Sequence, residues 1–196
     1  MAHLSKEALG RFACRAAGFT PSQGVNLTRV FTQAGILTSD GIGPHEGAAG
    51  LLGICSRNIA QAADAVFKFL PMKVKVAAGA PDAQPHLQFD SETTLGEILA
   101  VWLLTAPEDI IAGNFHLTVM TNPAEAEVSI GLGQGRRVYT FGGTTTDRHS
   151  PSSIRSARIV PAHVIAELAS LLQKGEPAAL RNAKGTATAQ DTRVLA

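Results

Sequence analysis

Apolar residues return every three or four positions through the first seventy residues, and every second position between about 115 and 141. That change of period predicts helices first and strands later. In "SKEALGRFACRAAG" (5–18), Leu9, Phe12, Ala13 and Ala16 share one face, Ser5 stands at the N-cap and Gly18 ends the helix. After a tight turn, "TPSQGVNLTRVFTQAGIL" (20–37) opens with Thr20 as N-cap, Pro21 at the first helical position and Gln23 three residues after the cap. This is a capping-box pattern, with proline where its missing N–H costs nothing. Leu27, Val30, Phe31 and Ala34 form the apolar stripe of this second helix.

The glycine-punctuated "TSDGIGPHEG" (38–47) reads as a loop. "AAGLLGICSRNIAQAADAVFKFL" (48–70) reads as one helix or two abutting ones, with a break at "SRN" (56–58). "AAGAPDAQPHLQ" (77–88) is the most linker-like internal stretch. A capped helix from about Glu92 to Thr105 follows, and Pro107 stops it. "FHLTVM" (115–120), "AEVSIGL" (126–132) and "RRVYTF" (136–141) are strands, "IRSARIV" (154–160) is a candidate fourth, and "PAHVIAELASLLQ" (161–173) is an amphipathic helix. Residues 175–196 lack a periodic pattern and read as a tail. The expected class is α+β: a helical domain over 1–76, a linker over 77–88, and a small domain with an antiparallel meander over 89–174.

The 196 residues are 45% hydrophobic and 17% charged, which describes a globular chain rather than a disordered one. Aromatics are only 5%, so aliphatic side chains must build the core. No apolar run approaches the ~18 residues of a membrane span, and "MAHLSKEALGRFACRAAG" has no secretion-type apolar region. A cytoplasmic protein without membrane attachment is expected. Cys14 and Cys55, set among apolar residues without CxxC spacing, read as buried thiols. The net charge of +1 is unevenly spread. Residues 1–75 carry eight Lys/Arg against four Asp/Glu, and the remainder nine against twelve.

Ser22, Asn26, Arg29 and Gln33 are spaced four, three and four, so they form one polar stripe on the second helix. Two short helices joined by a tight turn, the second carrying such residues, suit a helix-turn-helix. Asn and Gln can pair with adenine and Arg with guanine in a major groove. Gln23 lies at the same helix end, and Arg11 and Arg15, four apart on the first helix, can clamp backbone phosphate.

"LTRVFTQAGIL" resembles the recognition helix of MerR-type winged helix-turn-helix proteins, where an Arg, two aromatics and Gly-Leu-Leu recur. Arg29 falls on the Arg, Phe31 on the second aromatic and Gly35-Ile36-Leu37 on the element leading to the wing. "LGRFACRAAGFT" resembles the preceding helix and turn, "TSDGIGPHEG" stands where the wing would be, and "AAGLLGICS" where the next helix would pack. The match covers roughly residues 8–55. It departs at Val30, which replaces the first aromatic, and in the wing position, which offers only Asp40, His45 and Glu46. No long dimerising coiled coil follows, so the family's effector sensing is not carried over. The layout also resembles small prophage and mobile-element proteins of proteobacteria.

Other chemistry is sparse. "GLGQGRR" (131–137) lacks the Lys-Ser/Thr of a P-loop and joins two strands, which makes it a hairpin turn. "TTTDRHSPSS" (144–153) gathers Asp147, Arg148, His149 and Ser150, but consecutive residues seldom reach triad geometry. Trp102, Leu99, Leu103 and Leu104 read as core, with a dimer seam as the alternative. No metal, cofactor or enzymatic activity is expected. The expected function is a sequence-specific transcriptional regulator binding double-stranded DNA as a homodimer. Ser22, Gln23, Asn26, Arg29 and Gln33 would serve as readers, and Arg11, Arg15 and His45 as flanking contacts. The second domain would supply dimerisation or a protein partner. Two other readings fit: a protein-interaction adaptor or anti-activator, and a small terminase-like DNA-packaging accessory.

Overall fold

The computed structural model describes residues 4–38, 41–56, 58–79, 88–121, 124–132, 135–142 and 157–175. Helix α1 (Lys6–Ala17) is capped by the Ser5 hydroxyl, which accepts from the Ala8 N–H at 3.2 Å, and ends at Gly18 in the left-handed region. Helix α2 (Pro21–Gln33) follows three residues later. Helix α3 (Pro44–Ile54), a 3-10 turn (Ile59–Gln61) and helix α4 (Ala62–Phe69) complete the N-terminal helices. The expected break between α3 and α4 is present. Among the described residues Asn58 caps the 3-10 turn, its side chain accepting from the Ala60 N–H at 3.0 Å.

Strand β1 (Val74–Gly79) precedes helices α5 (Leu95–Leu104) and α6 (Pro107–Ala112). Strands β2 (His116–Thr121), β3 (Ala124–Leu132) and β4 (Gly135–Gly142) form the expected meander, and β5 (Ala157–Val160) leads into helix α7 (Ala162–Lys174). The sheet order is β1-β4-β3-β2-β5, antiparallel at every pairing. The fold is therefore α+β, as the change of period predicted.

Strand register decides which face is buried. Leu117 pairs with Val128 and Val128 with Tyr139, while Val119 pairs with Ala126 and Ala126 with Phe141. All of these are buried, and Val160 extends the first row through Leu117. Their period of two puts them on one face. That face joins a hydrophobic core running from Leu4 on one side of the chain to Leu171 on the other. Trp102 of α5 packs on Phe115 with the rings tilted at 48° and 4.7 Å between their centres, and Phe89 meets Tyr139 edge-on at 5.4 Å.

Several expectations are corrected. The 38–47 stretch is not a loop throughout, because α3 already begins at Pro44, with the Glu46 carboxylate accepting from the Gly43 N–H at 3.1 Å. No wing hairpin forms among its described residues, whose one strand-like feature is an isolated bridge between Leu4 and Ile42. Asp40 lies outside the described residues. The helix expected from about Glu92 starts at Leu95, because Thr94, not an earlier residue, is its cap. Ala77, Ala78 and Gly79, assigned to a linker, belong to β1 and pair with β4. Helix α3 packs against α5 and α7 as well as α1 and α4, so elements from both sides of 77–88 share one core. The stretch 144–153 and the tail from 176 onward lie outside the described residues.

Candidate nucleic-acid interface

Helix α2 is held at its start by a closed capping box. The Gln23 side-chain oxygen accepts from the Thr20 N–H at 2.8 Å, and the Thr20 hydroxyl accepts from the Gln23 N–H at 3.3 Å. Ser22 joins the cap through its hydroxyl, 3.0 Å from that of Thr20. Gln23 is thus occupied in fixing the helix end, and Ser22 shares that work.

The seat of α2 is a close approach to α1. A Cβ built on Gly24 would lie 2.6 Å from the Gly10 carbonyl oxygen and 2.6 Å from the Cys14 sulfur. The two backbones nearly touch there. The Cys14 Sγ–H donates to the Thr20 carbonyl at 3.3 Å, tying the turn to α1. Leu27 and Phe31 are fully buried on the inner face, and Val30 and Ala34 are half-buried. The expected apolar stripe is therefore the packing face.

The outer face carries Ser22, Asn26, Arg29 and Gln33, all exposed. Among the described residues, no hydrogen bond or ion pair engages the side chains of Asn26, Arg29 or Gln33. No acidic residue occurs in α2, so nothing on the helix itself opposes a polyanion. Val25 lies in the same stripe and is 65% exposed. Its spacing, three after Ser22 and four before Arg29, was visible in sequence, but an apolar residue was not sought on a polar face.

The flanking residues are placed differently. Arg15 projects to α7, where its Nε and Nη2 both donate to the Glu167 carboxylate at 2.9 and 2.7 Å. Arg11 is half-buried on α1. His45 is exposed in the first turn of α3 and lines a groove of about 500 Å³ with Ile36, Phe67, Leu70, Thr94 and Glu97. Two carboxylates, Glu46 and Glu97, belong to the same groove, which makes it a poor seat for phosphate. The structure thus brings Ser22, Val25, Asn26, Arg29 and Gln33 together and assigns Arg15 and Gln23 to internal contacts.

No family model, curated protein or solved structure matches the chain. The functional reading accordingly stands on the residues of α2 and their surroundings. Among the described residues, no group of three or more His, Cys, Asp or Glu is placed to hold a metal ion, and no helix is long and apolar enough to cross a membrane. Both cysteines are free thiols. Cys55 is buried, and burial pushes its thiol up to about 12, against the opposing charge of Arg158.

Proposed function

We propose that the chain binds double-stranded DNA, with α1, the turn at 18–20 and α2 acting as a helix-turn-helix and α2 entering the major groove. The observation that carries this reading is the outer stripe of α2: Ser22, Asn26, Arg29 and Gln33 exposed in line, on a helix without acidic residues. A groove-reading helix needs polar side chains free to pair with base edges and a rigid support behind them. The capping box and the Gly10–Gly24 approach supply the support. Val25 adds an apolar contact suited to a thymine methyl group. Transcriptional regulation is the role we assign to such a reader.

Arg29 is the residue expected to contribute most to base choice, because a guanidinium can take both acceptors of guanine at once. Binding-site selection from a random duplex pool is therefore expected to enrich a motif. Arg29→Ala should lower affinity for that motif by about 1–3 kcal/mol, roughly five- to 150-fold, and relax one position of it. Arg15→Ala should leave the motif unchanged, since that side chain is engaged with Glu167. A steep salt dependence without any motif would indicate backbone binding alone. No retention on duplex DNA at low salt would refute the reading and redirect α2 to a protein partner.

A further inference from the structure

The groove beside His45 lies where several pieces of the chain meet. Its apolar lining comes from Ala49 of α3, Val66 and Leu70 of α4, and Ile36 in the segment that leaves α2. Phe67 of α4 lines it too and is 57% exposed, a large ring left facing water. Its polar lining comes from the starts of α3 and α5, which bring Glu46 and Glu97 to the same space.

Each of these carboxylates caps its own helix through one oxygen. Glu46 Oε2 accepts from the Gly43 N–H at 3.1 Å, and Glu97 Oε2 accepts from the N–H and hydroxyl of Thr94. Among the described residues no hydrogen bond or ion pair engages Oε1 of either side chain. No Lys or Arg occurs among the described residues that line the groove. A helix N-terminus carries about half a positive elementary charge. Two carboxylates at two helix starts therefore leave roughly one net negative charge beside a mainly apolar surface. An anion is disfavoured by that charge, and the N–H groups of Gly43 and Thr94 that would hold it are already taken.

We propose that this groove binds a small organic monocation, its hydrocarbon body on Ile36, Val66, Phe67 and Leu70 and its ammonium group at Glu46 and Glu97. The occupant is a free small molecule, because the space of about 500 Å³ falls within the ~300–1,000 Å³ of small-ligand sites. Charge complementarity sets its sign, and the single net charge selects a monocation over a polyamine. Covering the exposed Phe67 ring with hydrocarbon adds the favourable burial of apolar surface.

None of the polar residues in the outer stripe of α2 lines the groove, so the test is made without DNA. Calorimetric titration of the full chain with phenylbutylamine, phenylbutanol and phenylbutyrate compares one hydrocarbon skeleton with a positive, a neutral and a negative end. The amine should saturate with a dissociation constant of roughly 1 mM, as suits a fragment of ~11 non-hydrogen atoms. The butyrate should bind at least about tenfold more weakly. Glu97→Gln keeps the capping box, which accepts Glu or Gln, and removes the charge. It should weaken the amine by about five- to tenfold and leave the alcohol unchanged. Phe67→Ala should weaken both, and Glu108→Gln, on α6 and outside the groove, should change neither.

No saturation by the amine, equal binding of amine and butyrate, or undiminished amine binding in Glu97→Gln overturns the proposal. An equal loss in Glu108→Gln also overturns it, since the attraction would then be to acidic surface in general. Should Glu97→Gln lose its circular dichroism spectrum, Glu46→Gln decides by the same comparison.

Discussion

Gly24 is where one side chain, or its absence, sets the distance between two helices. A methyl group there would meet the Gly10 carbonyl and the Cys14 sulfur, both at 2.6 Å, and neither is the end of a long flexible chain. Alanine favours a helix over glycine by about 0.8–1.0 kcal/mol, whereas overpacking a tight contact costs typically about 1–3 kcal/mol. Steric cost is expected to win. Gly24→Ala should therefore lower the urea midpoint of unfolding, with the slope unchanged. A midpoint equal to or above wild type would mean that α1 and α2 can part without loss. Sequence alone marks Gly24 as a weak point inside a capped helix. Its use becomes apparent only opposite Gly10, fourteen positions away, because close approach is a property of the pair.

Single elements were more legible than their exact ends. Ser5, Thr20 and the glycine at 18 mark true helix boundaries, since capping is a local exchange between a side chain and backbone three residues on. The same chemistry at Thr94 starts α5: its N–H and hydroxyl both donate to the Glu97 carboxylate, at 2.7 and 2.8 Å. Those bonds hold the Glu97 carboxyl below its ordinary value of 4.5. A depressed value means that the unfolded chain takes up a proton before the folded chain does. The cap therefore stabilises fully above 4.5, and its contribution is lost as pH falls through the folded value. Urea midpoints of wild type and Glu97→Gln should differ most at neutral pH and converge on acidification. A difference that stays constant with pH would show that the ionised carboxylate is not what caps α5. Two elements escaped the pattern. Helix α6 has six residues, too few to display a helical period. Strand β1 does alternate, in "KVKV", but its pairing partner β4 lies some sixty positions downstream.

At the scale of the whole molecule, the core decides how the parts unfold. The linker-like stretch at 77–88 suggests two units, the first net basic and the second net acidic. The packing joins them: α3 lies against α5 and α7, β1 pairs with β4, and Arg15 of α1 meets Glu167 of α7 at 2.7 Å. That surface ion pair contributes at most about 1 kcal/mol, so the shared apolar core carries the union. Unfolding of the full chain is expected to be one cooperative transition, coincident by fluorescence of Trp102 and by circular dichroism. Residues 1–76 alone should not form a stable fold, because α3 would expose the face that α5 and α7 bury. Two separated transitions, or a cooperatively folding 1–76 fragment, would show that the halves are independent.

Local rules and periodicity were enough to determine the α+β class, the meander, the capped helices and which face of α2 is apolar. Each of these follows from interactions within a few residues or from a repeat in one segment. The tertiary structure alone decided that the two charge-distinguished parts share a core and that Arg15 and Gln23 serve internal contacts. It also decided that a helix begins at Pro44, inside the stretch expected to hold the wing, and that β1 forms one edge of the sheet. Those outcomes depend on partners distant in sequence. A pattern along the chain records which residues seek burial or a partner, not which distant residue provides it.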